Sequence, residues 1–186
     1  MRLYALCDQD LLDSNNISLE KYIELANASS AEILQYRNKN ADIPFIKSQL
    51  IKIRKFFNGF LIVNDAYELI EFCDGVHLGQ EDLNRIDSDI KKAVKILRNV
   101  IGKDKILGIS THNEDEVLLA NTMDLNYIGL GAYRSTTTKN VDVVLGNKVE
   151  SIAQLSKHPV AVIGGVKKDD IFINITYHVI GSGLIN

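Results

Sequence analysis

"LIVNDAYELIEFCDGVHLGQEDL", residues 61–83, holds two short apolar runs, LIV and GVHL. Each ends at once in polar and acidic residues, Asn64-Asp65 after the first and Gln80-Glu81-Asp82 after the second. A short periodic stretch, AYELIEFC (66–73), lies between them. Runs that are apolar on both faces read as strands buried in a parallel sheet, and the stretch between them reads as a helical crossover.

Working outward, the same alternation fills the chain. Candidate strands are LYAL (3–6), EILQY (32–36), FLIV (60–63), GVHL (75–78), ILGI (106–109), YIGL (127–130), VAVI (160–163) and HVIGS (178–182). Helical periodicity separates them. SLEKYIELANAS (18–29) starts at a capping Ser18, and IPFIKSQLIKIRKFF (43–57) places Ile46, Leu50, Ile53 and Phe57 on one face. SDIKKAVKILRNVIG (88–102) repeats that pattern with Ile90, Val94, Leu97 and Ile101 and stops at Gly102. NEDEVLLANTM (113–123) and NKVESIAQLSK (147–157) supply two more, and KKDDIFINI (167–175) a weaker one.

Eight strands alternating with helices predict an α/β fold, a parallel (β/α)8 TIM barrel, in one domain spanning 1–186. At 186 residues the chain is short for such a barrel, about 250 being typical. Short loops are therefore expected, and no room remains for an eighth helix after HVIGS.

Bulk properties narrow the function. With 21 Lys+Arg against 24 Asp+Glu, the net charge of -3 speaks against a nucleic-acid binder. No apolar run approaches the roughly 20 residues of a membrane span, and MRLYALCDQD turns acidic where a signal peptide would stay apolar. A cytoplasmic protein is expected. Cys7 and Cys73 are too few for a disulfide framework and read as buried thiols.

The polar residues gather at the strand exits. They are Arg37-Asn38-Lys39, Asn64-Asp65, Gln80-Glu81-Asp82, Ser110-Thr111-His112-Asn113, Arg134 to Lys139, Gly164-Gly165 and Gly181-Ser182-Gly183. In a parallel barrel all these exits share one face, which carries the active site. Taken singly each is ordinary: Asp65 a loop residue or helix cap, Arg37 and Lys39 a solvated pair, Gly-Gly a turn. Together they form two anion pockets. Asp65 and Asp82, on neighbouring exits, suit a shared Mg2+ that also takes phosphate oxygens. Gly164-Gly165 and the GSG end can expose backbone N–H groups to a phosphate, with hydroxyls from Thr136 and Thr138 nearby.

These residues carry a resemblance. QYRNK (35–39), VNDAYEL (63–69), DGVHLGQEDL (74–83), GISTHN (108–113), DLNYIGLGAYRSTTTK (124–139), VAVIGGV (160–166) and the terminal VIGSGLI occur in the order found in thiamine-phosphate synthases. The chain resembles that family and its close relative, the thiazole tautomerase. The resemblance implies a Mg2+-dependent barrel enzyme that joins hydroxymethylpyrimidine diphosphate to a thiazole phosphate and releases diphosphate. It implies that Gln35 faces the pyrimidine, that Arg37, Lys39, Asn64 and Lys139 hold the diphosphate, and that Asp65 and Asp82 ligate the metal. Ser110 would sit beside the reacting centre, with Arg37 and Lys139 assisting catalysis. Thr136, Thr138, Gly165 and Ser182 would hold the thiazole phosphate.

Departures from the family pattern are local. Ala132-Tyr133-Arg134-Ser135 replaces a Pro-aromatic run, and the stretch from Gly165 to Ser182 is shorter than usual. Two rival readings follow: a tautomerase working through His112, and a non-catalytic barrel that binds thiamine precursors. His77 is expected to pack or to support a site residue rather than to act in catalysis, and His158 and His178 to have no part in it. The uncovered wall where the eighth helix is missing predicts a homodimer.

Overall fold

A computed structural model describes residues 2–135 and 144–185. The strands are β1 (Arg2–Asp8), β2 (Ile33–Arg37), β3 (Phe60–Asn64), β4 (Gly75–Leu78), β5 (Ile106–Thr111), β6 (Tyr127–Leu130), β7 (Val160–Val162) and β8 (Tyr177–Ile180). All pair in parallel, and β8 returns to β1, closing the barrel in sequence order. Each expected strand is present.

The helices are α1 (Gln9–Ser14), α2 (Leu19–Ala28), α3 (Ile43–Phe56), α4 (Gln80–Ile86), α5 (Ile90–Ile101), α6 (Glu114–Ala120) and α7 (Lys148–Ala153). Their ends follow local chemistry. Ser18 Oγ accepts the Lys21 N–H at 3.1 Å, and Asp42 Oδ1 accepts the Phe45 N–H at 2.9 Å, with Pro44 in the first turn of α3. Gly102 ends α5 at φ 88°, which glycine adopts without a Cβ penalty.

Two layers make the core. Outward-facing strand residues such as Leu34, Leu61 and Val76 meet the apolar helix faces, Leu50 and Ile53 of α3 among them. Inside the barrel lie Tyr4, Leu6, Ile33, Ile62, Tyr127, Ala161 and Val179. Small branched residues usually fill that space; two tyrosines here are the exception.

The shortness of the chain is absorbed in three places. A 3-10 turn, Tyr67–Phe72, is the whole crossover from β3 to β4. After β8 a second 3-10 turn, Ser182–Leu184, buries Leu184 beside α2. Between β7 and β8 there is no helix at all, which corrects the expectation for KKDDIFINI. Its apolar residues alternate rather than recur at three or four. Phe172 turns inward onto His178, ring centroids 4.9 Å apart, while Ile171 and Ile173 stand 90% and 88% exposed. The polar groups of this segment are claimed from outside it. Asp170 is held by Arg134, and Glu150 of α7 accepts the N–H groups of Ile173 and Asn174. Among the described residues no helix is long and apolar enough to cross a membrane.

Candidate active site

The strand exits open into a cavity of about 440 Å³. Gln35, Arg37, Lys39, Asn64, Asp65, Asp82, Ser110, Gly165 and Ser182 all line it. Every expected site residue that is described thus falls on one surface. Thr136, Thr138 and Lys139 lie outside the described residues.

One wall comes from β2, β3 and the start of α4. Gln35, almost fully buried, donates from Nε2 to Asn64 Oδ1 at 3.0 Å, and Asn64 Nδ2 donates to the Asp65 carboxylate. Asp65 turns the chain at φ 61°, a conformation Asp tolerates better than most, and its N–H is held by the His77 carbonyl at 2.9 Å. Burial first, then the facing Asp82, pushes the Asp65 carboxyl up to about 6, against the opposing pull of Lys39 and the Gly79 N–H. Asp82 sits in the first turn of α4 and accepts from Arg85 Nη1 at 2.8 Å.

Arg37 is anchored from behind. Asp8, buried at the exit of β1, pairs with its guanidinium and also accepts the Leu11 N–H that opens α1. Lys39 is exposed at the cavity mouth.

The back of the cavity is Ser110 and His77. Ser110 Oγ lies 3.0 Å from His77 Nε2, and its carbonyl accepts from Gln80 Nε2. His77 Nδ1 lies 2.9 Å from the Tyr127 hydroxyl. So His77 lines the cavity and touches Ser110 directly, in the supporting position expected of it. His112 also lines it, with Nδ1 2.9 Å from Glu116 Oε2. Burial works against the Glu116 charge, but the bonds from the His112 ring and N–H and from Asn113 hold its carboxyl below the usual range.

The opposite wall is backbone. Gly164 and Gly165 both have positive φ, 95° and 62°. A Cβ on Gly164 would meet the Ala132 Cβ at 2.6 Å, and one on Gly165 the Arg134 Cβ at 2.8 Å. Arg134 closes this wall. It gives two hydrogen bonds to Asp170 at 2.6 and 2.7 Å and one to the Gly165 carbonyl at 2.9 Å, and it lies over the Tyr133 ring at 4.3 Å. Its pull holds the Asp170 carboxyl down. Leu6, Ile163 and Val179 form an apolar floor.

Such a cavity has a charged wall for an anion and its counter-ion, an apolar floor for a flat ring, and a small-residue cradle for a second anion. Sequence reasoning passed over Asp8 and Tyr127. Asp8 follows the apolar run of β1 as Asp65 follows that of β3, so the same signal marks it.

Comparison with known proteins gives the family. The family model described as thiamine monophosphate synthase matches residues 3–181. The chain is 32% identical over 177 residues to the thiamine-phosphate synthase of Persephonella marina, covering 92% of this chain and 79% of that protein. To the thiamine-phosphate synthase of Lawsonia intracellularis it is 36% identical over 177 residues, covering 91% and 76%. In fold it is similar to a thiamine phosphate pyrophosphorylase from Pyrococcus furiosus, with TM-score 0.74 and 24% identity over 97% of this chain and 85% of that one. Matched over nearly its whole length, with a barrel that gathers its strand-exit residues into one cavity, the chain belongs to the thiamine monophosphate synthase family, and it is a transferase of thiamine biosynthesis.

Proposed function

We propose that this transferase joins hydroxymethylpyrimidine diphosphate to a thiazole or carboxythiazole phosphate, with Mg2+ held by Asp65 and Asp82. One observation carries the reading: a single cavity has a carboxylate-and-cation wall facing a glycine cradle, with an apolar floor between. That is room for two phosphorylated rings with their charged ends apart. Gln35 and Asn64 orient the pyrimidine and the diphosphate. Arg37, made rigid by Asp8, and Lys39 hold the diphosphate oxygens, and Lys139 joins them. The cradle of Gly165 and Ser182, with Thr136 and Thr138, takes the thiazole phosphate.

In the reaction the bond from the pyrimidine methylene carbon to the diphosphate oxygen breaks, and its electron pair leaves with the diphosphate. The thiazole nitrogen then gives its lone pair to that carbon. Ser110 stands beside the carbon, and Leu6, Ile163 and Val179 keep water from it.

Support for Mg2+ is the donor set. Two carboxylates face each other closely enough to raise one of them. A hard cation that keeps water and phosphate oxygens in its remaining positions fits such a pair. When bound it neutralises charge on the departing diphosphate.

Formation of thiamine phosphate from both substrates is the direct test. Asp65→Asn and Asp82→Asn should each cut turnover by about a hundredfold or more and weaken its Mg2+ dependence. The His112–Glu116 pair at the cavity supports the tautomerase as the second reading. It takes over if those two variants keep full activity, or if His112→Gln alone abolishes turnover. Binding of the pyrimidine diphosphate with no product would leave the non-catalytic barrel.

The chain acts as a homodimer in the cytoplasm on this reading. Ile171 and Ile173, nearly fully exposed side by side on the helix-free wall, support the dimer, and two buried free thiols support a reducing compartment. Light scattering that finds only monomer at micromolar concentration would remove the first of these.

A further inference from the structure

A line of hydrogen bonds crosses the barrel interior from Asp65 to Ser110, and the direction of its first bond fixes that of every bond along it. Asn64 turns its NH2 edge to Asp65, Nδ2 donating to the carboxyl oxygen. Asn64 Oδ1 therefore faces Gln35 and accepts from its Nε2 at 3.0 Å. Gln35 Oε1 is then left to receive the Tyr4 hydroxyl hydrogen at 3.2 Å. Having given its one hydrogen, Tyr4 accepts from the Tyr127 hydroxyl at 2.8 Å. The Tyr127 hydrogen is now used, so its oxygen accepts from His77 Nδ1 at 2.9 Å. His77 carries its proton on Nδ1, and in the neutral ring Nε2 is bare. At 3.0 Å from that nitrogen, Ser110 Oγ must donate to it.

We infer that Tyr4, Tyr127 and His77 are positioning residues that set the polarity of Ser110, turning its hydrogen into the barrel and its lone pairs toward the cavity. The inference rests on the synthase reading for its consequence: a lone pair there faces the carbon that turns electron-poor as diphosphate leaves. With the opposite polarity the hydroxyl hydrogen would be free to point at that carbon and oppose the step.

The barrel has made room for this line. Tyr4 and Tyr127 are 1% and 3% exposed, where an interior layer would ordinarily be aliphatic. A Cβ on Gly108 would lie 2.1 Å from the Tyr127 ring, and one on Gly129 3.1 Å from the His77 ring. The His77 and Tyr127 rings stack at 5.5 Å and 25°, which keeps the bond between them in register. Buried hydroxyls are costly unless satisfied, and here each is used in both directions.

Nitrogen-15 NMR of the histidine rings in the full-length protein tests this directly, the His77 signals being assigned by their loss in His77→Asn. At slightly alkaline pH the wild-type ring should have its proton on Nδ1. Tyr4→Phe should shift it toward the Nε2–H form although Tyr4 stands one residue further along the line, because Tyr127 can then donate to Nδ1. Tyr127→Phe should shift it too. In both variants kcat should fall about tenfold or more, with KM for each substrate within about twofold. A wild-type ring with its proton on Nε2 overturns the inference. So do variants that shift the proton and leave kcat within about twofold. If Tyr127→Phe does not fold, Tyr4→Phe and the wild-type spectrum decide. Wild-type protein without any synthase turnover refutes the synthase reading, while the same spectra still decide the tautomer.

Discussion

The barrel is backed in two different ways. From β1 to β6 the strands lie under helices and one 3-10 turn whose apolar faces form most of the core. Between β7 and β8 the backing is irregular, pinned by Arg134 on Asp170, by Glu150 on two N–H groups, and by Phe172 between Tyr133 and His178. The first wall is held by area removed from water, the second by a few directed contacts. The two walls also face different ends of the cavity: the carboxylates lie on the first and the glycine cradle on the second. Regularity therefore tracks the carboxylate end, and the departures from the family pattern collect at the cradle end.

The sharpest contrast is in stability. Leu50→Ala in α3 removes a fully buried side chain and should cost about 3 kcal/mol, read as one cooperative drop in the denaturation midpoint. Phe172→Ala should cost about half as much, with faster amide exchange confined to residues 163–180. Uniform exchange in both variants would erase the distinction between the walls.

Next in size is an effect on binding. Gly165→Asp puts a side chain at φ 62° and a charge in the cradle, so affinity for the thiazole phosphate should fall about a hundredfold. Affinity for the pyrimidine diphosphate should change by about threefold at most. Equal losses in titration calorimetry would mean that the two anion pockets are wrongly divided.

Arg134→Ala should raise KM for the thiazole substrate about tenfold and leave that for the pyrimidine nearly unchanged. A bidentate Arg–carboxylate pair is then lost, but one whose arginine is 40% exposed. A matching rise for the pyrimidine substrate would break the link between this clasp and the second wall.

Last is the response to pH, and it should differ in sign. Asp65 is raised to about 6 from near 3.8, so its contribution to stability is full below pH 4 and is lost as pH rises through 6. Burial lowers His178, so its contribution is full above about 6.5 and is lost as pH falls through the lowered value. Without metal, Asp65→Asn should flatten the first slope and His178→Gln the second, each read as a change in the slope of Tm against pH. Added Mg2+ should abolish the first slope alone.

The eight strands were legible because both their faces are buried and they read as unbroken apolar runs. α3 and α5 were legible from spacing alone. α1 and α4 escaped notice because each is only two turns or less, with a single apolar cluster, Leu11-Leu12 and Leu83. The β7–β8 segment misled because Ile171, Phe172 and Ile173 look like a helix core, while the partners that unravel it, Arg134 and Glu150, are distant in sequence. The site was legible as a list of strand exits. The line from Asp65 to Ser110 was not, since Tyr4 and Tyr127 lie mid-strand among apolar residues and only closure of the barrel brings them together.

The missing side chain at Gly108 has an evolutionary reading. A methyl group there would overlap the Tyr127 ring, so neither position is free to vary while the other stays. Among descendants of a common ancestor, a larger residue at 108 should appear only alongside a smaller one at 127. Lineages that cross that divide must give up the phenol, and with it the means of instructing Ser110 from across the barrel.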